Sequence, residues 1–157
     1  VLDVQAGIEK GASLALGVLA GADTFGHAGI CGTDHGASLA WLFVDNELMN
    51  YVGRVERGFA VDTETLATDV VDTVGPGGNF LSEEHTVRHF RRELWFPGPA
   101  WARDMWEGWY DKGRRPMGER VVAEVKRILS THEPEPMDGA MLREVDRIVE
   151  AARRELG

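Results

Sequence analysis

Residues 75–93 read Gly75-Pro76-Gly77-Gly78-Asn79-Phe80-Leu81-Ser82-Glu83-Glu84-His85-Thr86-Val87-Arg88-His89-Phe90-Arg91-Arg92-Glu93. A glycine-dense turn at 75–78 feeds directly into a helix start, because glycine and proline disfavour regular structure and clear the chain for a new element. Ser82 is the expected N-cap, and Glu83 and Glu84 then stand where the helix macrodipole favours negative charge. His85 and His89 are four apart and share one face of that helix.

Toward the C-terminus, Pro97, Gly98 and Pro99 break the chain. A helix is predicted over 101–112, and residues 113–116 reset its direction. Two further helices are predicted over 117–130 and 138–156, joined by an acidic, proline-bearing linker at 132–137. The last repeats apolar residues at Leu142, Val145, Ile148, Val149 and Ala152, a helical period. Toward the N-terminus, Asp62 caps a short helix through Val74. A long helix over 38–57 stacks Leu42, Phe43, Asn46, Met49 and Val52. Residues 29–36 form a glycine-rich loop carrying Cys31, Thr33, Asp34 and His35. Residues 22–28, with Thr24 and Phe25 between glycines, are the best strand candidate. The first helix spans 1–20, with apolar positions Val4, Ile8, Leu14, Ala15 and Val18, and Gly21 as its stop.

A strand lying between two helices is the grammar of parallel α/β folds. One strand makes no sheet, so its partners are expected in a preceding segment or on another chain. The chain has no initiator methionine and begins inside an apparent helix, as a piece of a longer protein would. The 157 residues suffice for one domain with its own core, and 43% hydrophobic with 27% charged residues is ordinary globular composition. A net charge of −9 argues against a nucleic-acid backbone or an anionic membrane as the main partner. Cys31 stands alone, so an internal disulfide is excluded and a reducing cytoplasm is the expected setting. No stretch approaches the ~18 continuous apolar residues of a membrane span.

The glycine turn, the Phe80-Leu81 step and the His85-Thr86-x-x-His89-Phe90-Arg91-x-Glu93 helix running into Leu94-Trp95 resemble the signature of the trimethylamine methyltransferase family. Members of that family are (β/α)8 barrels, and a full barrel needs about 250 residues. The resemblance implies that this chain is the C-terminal part of such an α/β barrel, mostly helical by itself. Residues 1–96 would supply barrel strand and helices, and 97–157 a C-terminal helical extension. It also implies methyl transfer from a methylated amine, either trimethylamine or a betaine-like quaternary amine. The acceptor would be the cobalt of a corrinoid carried on a cognate partner protein, with no cofactor bound directly.

In such barrels the chemistry sits at the C-terminal ends of strands and in the loops that follow. His27 ends the predicted strand and His35 lies in its loop; these two are the catalytic candidates. Phe25, Thr33, Asp34 and Trp41 surround them as substrate-binding candidates, with Phe25 and Trp41 offering faces that attract quaternary ammonium groups. The Asp45-Asn46-Glu47 triplet matches the family's following helix. Asp45 and Glu47 cannot face the same way, and Glu47 is expected to hold a loop or balance a cationic amine.

The His85/His89 spacing can ligate zinc, but a zinc site needs a further ligand and a metalloprotease places Glu where Thr86 stands. Packing, hydrogen bonding or partner docking is the reading for this pair, and no metal is expected. The aromatic run Trp95, Trp101, Trp106, Trp109 and Tyr110 reads as packing. The competing reading for the whole chain is a non-catalytic helical module that assembles with another chain, since an unpaired strand edge invites association.

Overall fold

The computed structural model describes residues 3–32 and 34–156. The chain divides into two compact units, Val1–Lys126 and Arg127–Gly157. Eight α-helices, one 3₁₀ turn and one two-stranded hairpin make up the described residues.

Helix α1 (Val4–Leu19) starts where the Asp3 side chain accepts the Ala6 N–H. Helix α2 (Leu39–Glu56) starts at Ser38, whose hydroxyl accepts from Trp41 N. The two helices pack on each other. The buried stripe of α2 is Trp41, Val44, Asp45 and Val52, with Glu47 buried on another side. The spacing-based expectation is corrected here: Leu42, Asn46 and Met49 are exposed. The helix is rotated because Trp41, the largest apolar side chain on it, takes the core position. Trp41, Val44, Ala100 and Val121 form that core.

The predicted strand over 22–28 is also corrected. Residues 22–27 carry no regular structure, and the only strands among the described residues are Ile30–Cys31 (β1) and Gly36–Ala37 (β2), paired antiparallel with Ile30 opposite Ala37. The backbone explains the break. His27 sits at φ 66° and Gly29 at φ 78°, both in the left-handed region that a strand cannot contain. The described residues are mostly helical, as expected for this part of the chain, and contain no parallel strand pairing.

Asp62 caps as expected, in a reciprocal box with Thr65. The short helix it starts is split, however. Ala67 at φ 49° separates α3 (Thr63–Leu66) from α4 (Thr68–Val74). Gly75 ends α4 at φ 64°. Ser82 does not cap the next helix; it closes a 3₁₀ turn over Phe80–Ser82, and α5 (Glu84–Glu93) begins after Glu83. The cause is Asn79, whose side chain accepts Leu81 N–H and starts the tighter turn early. Helix α6 (Trp106–Asp111) is shorter than predicted, with residues 101–105 irregular.

Residues 97–101 turn back onto the core. The Ala100 carbonyl accepts from Arg120 Nε at 3.1 Å and Nη2 at 2.8 Å, which ties the turn to α7 (Met117–Thr131). Tyr51, Trp95 and Trp101 stack edgewise beside it, at centroid distances of 4.9 to 5.7 Å. Trp106 pairs with Trp109 and Tyr110 on one face of α6. In the second unit, α8 (Gly139–Leu156) begins where Asp138 accepts the N–H groups of Ala140 and Met141. Its apolar residues Leu142, Val145, Ile148 and Val149 are exposed, as are Val4, Ile8, Leu16 and Leu19 of α1. No described helix is long and apolar enough to cross a membrane.

Candidate functional site

The segment between α1 and α2 is organised by one carboxylate. Asp45, on the buried face of α2, accepts from Lys10 Nζ and from the Gly29 backbone N–H, each at 2.7 Å on Oδ2. Lys10 comes from α1 and Gly29 from the connection, so one oxygen joins three parts of the chain. Charge-assisted bonds of this length are the strong kind. Gly29 is required twice over. Its φ of +78° suits glycine, and a Cβ there would lie 3.0 Å from the Leu42 Cβ.

Over this anchor lies an open cavity of about 660 Å³ between α1, the connection and α2. Its walls include Lys10, Phe25, His27, Asp34, Trp41 and Asp45. Phe25 closes one end by resting on Gly17 of α1, where any side chain would collide with its ring. The Lys10 ammonium sits 5.4 Å from the Trp41 ring centroid, so the face of Trp41 already hosts a cation. At the rim, His27 Nδ1 lies 3.4 Å from Asp34 Oδ1, with both side chains about 70% exposed. His27 and Asp34 both hold positive φ, of 66° and 68°, which for non-glycine residues stores strain in this connection.

The fold thus brings together Phe25, His27, Asp34 and Trp41 of the sequence-predicted site. It separates two others. His35 is exposed and does not line the cavity; its N–H closes a turn onto the Gly32 carbonyl. Glu47 is buried on the opposite flank of α2, against Gly98, where it borders a different cavity with Arg54, Arg57, Arg91 and Arg92. Thr33 lies outside the described residues. One oxygen of Glu47 and the Trp101 indole N–H are buried with no hydrogen-bond partner among the described residues.

Sequence reasoning missed Lys10, and it named Asp45 only as part of the Asp45-Asn46-Glu47 triplet, without its anchoring role. A signal existed for Lys10, which is the only lysine or arginine before Arg54. A lone cation in an acidic half-chain is a candidate partner for whichever carboxylate becomes buried.

A second polar cluster lies on α3 and α5. Glu64 accepts from Arg88 Nη1 at 3.0 Å and lies 3.2 Å from His89 Nε2. The bond from His89, then the Arg88 charge, holds the Glu64 carboxyl below its ordinary value. Backbone donation from Thr65 does the same for Asp62.

Comparison with known proteins places the chain. The model of the family described as trimethylamine methyltransferase (MTTB) matches residues 1–157. Trimethylamine methyltransferase MttB of Desulfitobacterium hafniense (strain DSM 10664 / DCB-2) is 33% identical over 155 residues, which is 99% of this chain and 31% of that protein. MttB2 of Methanosarcina mazei is 32% identical over 154 residues, 97% of this chain and 30% of the relative. Glycine betaine methyltransferase of Desulfitobacterium hafniense (strain Y51) is 27% identical over 157 residues, 99% of this chain and 32% of the relative. The chain belongs to the trimethylamine methyltransferase family, and it spans about a third of the length of the relatives it matches.

Proposed function

We propose that this member of the trimethylamine methyltransferase family forms part of an enzyme moving a methyl group from a methylated amine to the cobalt of a corrinoid. The substrate is trimethylamine or a betaine-like quaternary amine, and the corrinoid is carried by a cognate partner protein in a reducing cytoplasm. The family match carries the reaction class, and the cavity beside Trp41 carries the site. The chain would supply one segment of a (β/α)8 barrel, with residues 22–27 beside strands from another part of the protein.

In this reading the corrinoid supplies the nucleophile, and the protein's work is positioning and exclusion of water. Phe25 provides an aromatic wall of the kind that holds methylated ammonium groups, and Trp41 adds apolar wall beside the part of its ring that Lys10 covers. Asp45 fixes Lys10, leaving a cation on the wall that suits a substrate carboxylate such as that of a betaine. His27, oriented by Asp34, reaches the cavity rim and is the first catalytic candidate. His35 follows it only if the loop rearranges.

The test is methyl transfer by the full-length protein with its corrinoid partner. His27→Ala should lower turnover by about 10²-fold, the scale of one positioned acid–base group, with unfolding unchanged, while His35→Ala has a smaller effect. Equal and undiminished rates in both variants would remove this loop from the site. A second reading, a non-catalytic helical module docking on another chain, draws on the exposed apolar faces of α1 and α8. It predicts tight assembly without any effect of His27→Ala.

A further inference from the structure

The cluster joining α3 to α5 has the composition of a metal site. We propose that Glu64, His85 and His89 bind one first-row divalent cation, zinc being the probe of choice. By spacing alone the two histidines lacked a further ligand. The fold supplies one from 21 residues upstream of His85.

Three observations carry this. One ligand atom from each of the three residues lies within 4.8 Å of the others. The two imidazoles lie side by side, with centroids 4.3 Å apart and 24° between their planes, and both Nε2 atoms already reach Glu64; converging their in-plane lone pairs on one ion takes a tilt of the rings out of this stack. His89 Nε2 and Glu64 Oε1 are 3.2 Å apart, close to the roughly 3.4 Å edge of a tetrahedral zinc site built on ~2.1 Å bonds. The remaining approach, of His85, is a movement on the order of an ångström.

The donor set is right for the class. Two imidazole nitrogens and one carboxylate oxygen suit zinc and its neighbours, and leave one position for water. The surroundings fit with modest change. Both Nε2 atoms donate to Glu64 here, His85 to the carbonyl at 2.7 Å and His89 to Oε1 at 3.2 Å; on ligation each Nε2 gives its proton to water and each neutral ring takes one back at Nδ1. Arg88 holds Glu64 Oε1, and its guanidinium can pass to Oε2 while the metal takes Oε1. Arg92, 3.5 Å from His89 Nδ1, moves off onto Glu93, which its Nε already contacts. The Glu64 side chain is 52% exposed, so an ion reaches the site from solvent. Once bound, the ion would clip the Asp62-capped turn to the helix that follows the glycine turn.

The experiment is zinc titration of the chelator-dialysed chain against a chromophoric competitor, with cobalt(II) absorption in parallel. Expected are one ion per chain, a cobalt spectrum of tetrahedral or five-coordinate type, and a thermal midpoint raised by zinc. Glu64→Gln and His89→Ala should each weaken zinc binding by about tenfold or more, since disturbing even an outer partner of a metal site costs at least that. His132→Ala, elsewhere on the chain, should leave it unchanged. Should His89→Ala fail to fold, Glu64→Gln on the exposed α3 decides alone. Absence of one-to-one binding, or affinity unchanged in Glu64→Gln, overturns the site.

Discussion

The two flanks of α2 carry carboxylates only two residues apart, and they are treated in opposite ways. Asp45 faces α1 and is satisfied, by an ammonium and a backbone N–H at 2.7 Å each. Glu47 faces the turn at Gly98 and keeps one buried oxygen unpartnered among the described residues. Two residues along a helix is a rotation of about 200°, so neighbours in sequence meet unrelated environments. The comparison teaches that burial of an acid says little until its partners are known. On one flank the charge organises the candidate site, and on the other it is a cost.

The sharpest way to break the contrast is removal of Asp45. Asp45→Ala strands the Lys10 ammonium and the Gly29 N–H, and should destabilise the chain by roughly 2–3 kcal/mol, less than the ~3–5 kcal/mol of a fully buried broken pair because Lys10 keeps some contact with water. Urea unfolding measures it, and a loss within experimental error would mean the anchor is not formed. On the other flank, Glu47→Gln removes a buried charge at nearly constant shape. It should stabilise by about 1 kcal/mol, so loss of the carboxylate charge has opposite signs on the two flanks. A destabilisation equal to that of Asp45→Ala would erase the distinction.

The smallest effect concerns Glu93, which links α5 to the Glu47 flank through Arg54 Nη2 at 3.3 Å. Hydrogen bonding from Arg92, and the charges of Arg92, Arg57 and Arg54, hold its carboxyl below the ordinary 4.5. A depressed folded value means that the tie is fully present above about pH 4.5 and is lost as pH falls through the lower folded value. Tryptophan fluorescence, to which Trp95 contributes two residues from Glu93, is expected to shift below that pH. Glu93→Gln should abolish the shift; a shift that persists assigns it to another group.

Much of the helical architecture was legible from caps and breakers. Asp62, Gly75 and the Pro97-Gly98-Pro99 run act locally, and local signals survive into the fold. The failures share a cause. Residues 22–28 have strand-like composition, yet the left-handed backbone at His27 and Gly29 ends any extension, and composition does not report φ. Ser82 was passed over because Asn79 started a 3₁₀ turn three residues earlier. The face of α2 was misjudged because Trp41 claimed the core from Leu42. Phe25, His27, Asp34 and Trp41, singled out together from the sequence, line one cavity in the fold. His35, drawn in by its place in the loop, and Glu47, drawn in by the family's triplet, lie away from that cavity, because loop direction and helix rotation set where each side chain goes.

By itself the sequence determined the family, through the turn and helix at 75–93, and the positions of most helices, because capping and periodicity depend on residues a few places apart. Only the tertiary structure decided that Lys10 meets Asp45 across 35 positions, that Glu47 is buried against Gly98, and that Glu64 comes beside the His85–His89 pair. Those pairings depend on which faces of separate helices meet, and that is settled by packing of side chains far apart in the chain.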